Sequence, residues 1–169
     1  MMNYKYSTFW PRLGAGFVDG LIFAPINALQ FFVFAHSTSV TLRVLVFTLN
    51  SLSRTFYTVF MHGKFGQTLG KMALKVIVLD VSERPLSMWQ AVLRDILNVV
   101  LMPVIVAINI PRIIQGVDIY RQHSATTIEV ILGFASLAWV LLEFVTMLTN
   151  NKRRALHDFI AGSVVIRKL

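Results

Sequence analysis

The chain has 169 residues, 56% of them hydrophobic and only 14% charged, with a formal net charge of +8 and no cysteine. Soluble domains carry roughly 25% charged residues, so this composition excludes an ordinary soluble globule and points to a polytopic α-helical membrane protein. Without cysteine there are no disulfides, thiolate metal sites or cysteine nucleophiles.

The expected fold is all-α: one domain over 1–169, a four-transmembrane-helix bundle with small cytoplasmic elements. The spans fall at about 13–34, 41–61, 91–110 and 128–149. Met1–Trp10 is polar and aromatic, and no small-residue cleavage site closes a short apolar run, so no cleaved signal peptide is expected. The first span opens on Arg12-Leu-Gly-Ala-Gly-Phe-Val-Asp19. Seven residues make about two turns, so Arg12 and Asp19 project from one helix face, with a rise of about 10 Å between them. A carboxylate at that depth costs at least ~2.5–3.5 kcal/mol unless it is paired, hydrated or protonated. Pro25 predicts a kink beside Asn27. The second span carries Asn50 and Arg54.

Residues 62–86 form a polar, glycine-punctuated loop. Within it, Thr68–Lys75 predicts a short basic helix on the membrane surface, and Lys75–Asp80 a strand. Gly63, Gly66 and Gly70 lack the Gly-Lys-Ser/Thr of a phosphate-binding loop, so nucleotide is not expected. Ser87 and Gln90 predict a capping box. The third span holds Arg94, Asp95 and Asn98 near its start, and the fourth holds Glu143. In the tail, 150–169, Ser163–Arg167 predicts a second strand pairing with the first.

Basic residues set the topology. Lys5, Arg12, Lys64, Lys71, Lys75, Arg84 and the basic tail lie on one side; Arg43, Arg112 and Arg121 lie on the other. Both termini and the 62–86 loop are therefore expected in the cytoplasm. The same clustering beside apolar runs fits anionic lipid headgroups and argues against nucleic acid.

Measured from the cytoplasmic ends of the spans, Asp19, Arg54, Arg94, Asp95 and Glu143 lie within about 5–11 Å of one membrane surface. Every span thus contributes to one slab of charge. Either these groups pair and hold the bundle together, or they line a hydrated cavity that binds a cation or relays protons. His157-Asp158 is expected to be a helix-end hydrogen bond rather than a metal or acid–base pair. Asn27, Asn50, Asn98 and Asn109 are expected in interhelical hydrogen bonds rather than as ion ligands. No nucleophile–base pair sits at membrane depth, so neither an enzyme nor a cofactor is expected. Gly14 and Gly16 offer a small-residue face for a homo-oligomer.

Four stretches together resemble the RDD family of bacterial integral membrane proteins: Pro11–Asp19, Gly66-Gln-Thr-Leu-Gly-Lys71, Leu93-Arg-Asp95 and Arg153–Val165. Arg12 and Asp19 match the family's first-helix pair, and Asp158 its C-terminal aspartate. The resemblance implies a small protein of the bacterial inner membrane. It also implies transport, since some members are described as sodium/proton antiporters. The expected function is exchange of a monovalent cation for protons through the charge cluster. The alternative is a non-transporting scaffold or assembly partner that uses the cluster for structure. Arg54 and Glu143 lie outside the family motif; their place in the cluster comes from depth alone.

Overall fold

A computed structural model describes residues 4–120 and 125–168. Arg121, one of the basic residues used for topology, lies outside the described residues. The elements are α1 (Phe9–His36), α2 (Val40–Phe65), α3 (Leu69–Ala73), β1 (Val76–Asp80), α4 (Met88–Arg94), α5 (Ile96–Ile114), α6 (Thr127–Thr149), α7 (Leu156–Ile160) and β2 (Ser163–Arg167).

Three helices, α1, α5 and α6, are long and apolar enough to cross a membrane. α2 has 26 residues, long enough at about 1.5 Å per residue, but it is more polar, and a four-span count is not established by length and composition. Its polar side chains Asn50, Arg54, Tyr57, Thr58 and His62 recur at helical spacing and line the bundle interior. The interior position of this stripe is why the helix lowers its own mean hydropathy.

The third span starts later than expected. α4 ends at Arg94, and Asp95 turns the chain into α5, which runs to Ile114 rather than 110. The cause is local. Arg94 is drawn out of line toward Asp158, and the Asp95 N–H reaches back to Ala91 and Val92. α1, by contrast, is continuous through Pro25.

The expected short helix exists as α3, capped by Thr68, whose hydroxyl accepts from the Lys71 N–H. It is tucked against α1, where a Cβ on Gly70 would come 2.1 Å from the Ala15 carbonyl oxygen. Gly66 ends α2 in the left-handed region at φ 65°, and its carbonyl accepts from the Val78 N–H at 2.8 Å, tying the helix end to β1.

The predicted strands pair antiparallel, from Val76 opposite Arg167 to Asp80 opposite Ser163. The Ser87–Gln90 capping box forms as expected. Val76, Val78, Leu86, Ala91 and Val165 bury together beneath Val59 and make a cap over one end of the bundle. At the other end Phe34, Phe47 and Ile113 close the structure, with Val44, Val106, Ile110 and Ile119 around them. The polar interior lies between these two apolar plugs. α6 touches the rest chiefly through α7 and leaves large apolar side chains exposed along its length, as a lipid-facing helix does.

The small-residue face of α1 meets different surroundings at its two glycines. Gly14 abuts Leu74, and Gly16 borders the interior cavity.

Candidate functional site

The site is built where α1, α2, α3, the α4–α5 junction, α6 and α7 converge. At its base lies Asp158, fully buried at the first turn of α7. Its Oδ2 accepts from the Ala155 N–H at 2.9 Å and from Arg12 Nη1 at 2.5 Å. Its Oδ1 accepts from Arg94 Nη1 and from the Ser163 hydroxyl at 3.0 Å. Burial alone would raise the Asp158 carboxyl; Arg12 and Arg94 hold it well below the usual carboxylate range. Two further donors of Arg12, Nε and Nη2, are buried with no acceptor among the described residues. Asp158 is therefore the main compensation for that guanidinium.

Two chains of base, imidazole and acid lie nearby, the first of them starting from Arg94. In one, Arg94 Nη2 donates to His157 Nε2 at 2.8 Å, and His157 Nδ1 meets Glu143, whose Oε1 also accepts from Trp139 Nε1 at 2.8 Å. In the other, Lys71 Nζ meets His62 Nε2, and His62 Nδ1 bonds Asp95 Oδ2 at 3.2 Å. In both, an imidazole protonated on Nδ1 alone satisfies each contact: it accepts on Nε2 and donates to the carboxylate. Burial and the neighbouring Arg94 hold His157 below the ordinary histidine range, which keeps it neutral.

Lys71 has a consequence for pH. Burial first, and Arg94 second, push its ammonium down to about 7. An unfolded lysine titrates near ~10.4, so the folded state is penalised below about pH 7 and recovers as pH rises toward the unfolded value. Lys71→Met should therefore raise the melting temperature of detergent-solubilised protein most at about pH 6 and less at about pH 9. A gain independent of pH would contradict this placement of Lys71.

Asp19 stands apart from the arginines. Its Oδ1 accepts from the Tyr57 hydroxyl at 2.8 Å and the Gly70 N–H at 2.8 Å, and its Oδ2 from the Thr68 hydroxyl at 2.6 Å. All three donors are neutral, and no base lies within ion-pair distance among the described residues. Although Arg12 and Asp19 share a helix face, they make no direct ion pair. Arg12 is taken by Asp158, and Asp19 by the N-terminal turn of α3.

These groups border one cavity of about 410 Å³, lined by Arg12, Asp19, Arg54, Tyr57, Thr68, Lys71, Arg94, Asp95, Glu143 and His157 among others. The charged residues thus border an open cavity as well as forming ion pairs. Arg54 forms no ion pair among the described residues; its guanidinium lies over the Phe23 ring, 6.0 Å from the centroid. Beyond it a second cavity of about 280 Å³ continues toward Asn27, Gln30 and Asn50. Asn50 Nδ2 donates to Asn27 Oδ1 at 3.0 Å and to Gln30 Oε1 at 2.5 Å, the interhelical bonds expected of these residues. Asn109 instead bonds Ile105 in its own helix. Among the described residues no three His, Asp or Glu side chains converge as a metal-binding group.

The model of the RDD family matches residues 6–162, a range that contains Arg12, Asp19, Arg94 and Asp158. The chain belongs to the RDD family. No curated protein and no solved structure matches it. In this RDD protein the motif residues divide between two tasks. Arg12 and Asp158 close a buried ion pair with Arg94, whereas Asp19 stays in the cavity with neutral partners. Sequence reasoning missed Lys71, His62, Tyr57 and Thr68. His62 lies eight residues after Arg54 on the same helix, a spacing that signals a shared face. Nothing local marks Tyr57 or Thr68 as partners of Asp19.

Proposed function

We propose that this RDD protein is a secondary transporter that exchanges a monovalent cation, sodium first, for protons. Asp19 carries this reading. The other cavity carboxylates, Asp95 and Glu143, are each engaged by an imidazole that is itself held by a base. Asp19 faces the cavity with only neutral donors on it, and the Tyr57 and Thr68 oxygens stand beside it as further ligands. On this reading sodium and a proton compete for the same carboxylate oxygens. In this scheme α2 is a fourth span. The termini and the β cap face the cytoplasm of a bacterial inner membrane by the positive-inside rule, with basic side chains against anionic lipid headgroups. A homo-oligomer completes the proposal.

A non-transporting scaffold is the second reading, favoured by the Arg12–Asp158–Arg94 cluster, which ties α1, α4 and α7 together regardless of any flux. Purified protein in sealed liposomes with an internal pH-sensitive dye separates the two. Transport predicts a dye response to Na⁺, K⁺ or Li⁺ gradients that Asp19→Asn reduces to the protein-free background. The same variant should lose no more than about 1–2 kcal/mol of stability, because only neutral donors are re-paired. A wild-type protein that answers none of the three gradients leaves the scaffold.

A further inference from the structure

The second cavity has a composition that cation exchange does not use. It is lined by Asn27, Gln30, Asn50, Ser51, Thr55, Thr58 and Asn98, by the apolar Phe23, Leu101, Met102 and Ile105, and by Arg54. Arg54 is the one ionisable side chain among these lining residues. It sits 14 residues after Val40 and 11 before Phe65, so its backbone is at least about 16 Å from either end of the helix. Among the described residues its guanidinium has no carboxylate within ion-pair distance; it lies over the face of Phe23. Around it stand donors without acceptors. Among the described residues the Asn98 carboxamide makes no hydrogen bond, and Asn27 accepts from Asn50 through Oδ1 with its own NH₂ unused.

We infer that this cavity is a binding site for a small monocarboxylate, its carboxylate on Arg54 and its apolar part against Leu101, Met102 and Ile105. A guanidinium fork matches a carboxylate with two parallel hydrogen bonds. The amides of Asn27 and Asn98 supply the remaining donors, and the three aliphatic side chains supply a dry wall. A volume of about 280 Å³ falls just below the range of sites for drug-sized ligands, roughly 300–1,000 Å³, which fits an acid of a few carbons. The inference is independent of the exchange assigned to Asp19.

Equilibrium binding of radiolabelled butyrate to the full chain in detergent tests it. Saturable binding is expected, unchanged in Asp19→Asn and weakened about tenfold or more in Arg54→Gln. Because Arg54 has no carboxylate partner to strand, Arg54→Gln should keep the wild-type elution profile. Met102→Trp is the second variant: it fills the apolar wall with Arg54 intact and should also abolish binding. Absence of saturable butyrate binding by the wild type overturns the inference, as does undiminished binding in either variant. Displacement of the label by inorganic phosphate, but not by unlabelled propionate or butyrate, would assign Arg54 to phosphate and overturn the carboxylate.

Discussion

Asp158→Asn should destabilise the protein by about 3–5 kcal/mol, the cost of removing one partner from a buried ion pair. The reason is what it leaves behind. Arg12 and Arg94 both converge on this fully buried carboxylate, and Arg12 has two further buried donors with no acceptor among the described residues. Asparagine still accepts one or two hydrogen bonds but returns no charge, so two guanidiniums remain in a low-dielectric pocket. The loss should appear as a fall in the SDS or thermal unfolding midpoint, with release of α7 and β2 from α4. Asp158 is depressed well below the carboxylate range in the fold. Its contribution is therefore complete above about pH 4, the unfolded value, and is lost only as pH falls toward the folded one. An Asp158→Asn protein as stable as wild type at neutral pH would contradict this arrangement.

Gly70→Ala should be the most damaging single methyl in the chain. Its Cβ would lie 2.1 Å from the Ala15 carbonyl oxygen, 3.0 Å from the Ala15 carbonyl carbon and 2.9 Å from Asp19 Cγ. Two of those atoms are backbone and cannot swing aside. Overpacking typically costs about 1–3 kcal/mol; here α3 must move off α1, which also breaks the Gly70 N–H bond to Asp19. Both the unfolding midpoint and any Asp19-dependent flux should fall. Gly16→Ala is the control, on the facing helix α1: nothing lies within 4 Å of its Cβ. In a helix interior alanine is favoured over glycine by roughly 0.5–1 kcal/mol. Equal stabilities for the two variants would show that α3 does not pack as described.

Local patterns were legible in the sequence. The β pair announced itself through two short β-branched runs, and the α4 capping box through Ser87 and Gln90 at the required spacing. Depth counting placed Asp19, Arg54, Arg94, Asp95 and Glu143 around one cavity because helix rise is constant along each span. What failed was pairing. Arg12 and Asp158 are 146 residues apart, and depth alone cannot choose between Asp19 and Asp158 as the partner. Asp19 took hydroxyls and a backbone N–H, which carry no sequence signal as counter-ions. The break at Asp95 escaped periodicity because its cause is Arg94 turning toward a residue in the tail. The polar residues of α2 carry no local sign that they line two cavities, because the other walls come from distant helices.

The central claim is that a monovalent cation and a proton compete for Asp19. The most direct measurement adds NaCl to weakly buffered, detergent-solubilised protein and follows the pH. Competition predicts release of protons that saturates with sodium, is absent with an equal concentration of choline chloride, and disappears in Asp19→Asn. No sodium-dependent proton release at any pH where the protein stays folded, or release that persists in Asp19→Asn, would contradict it.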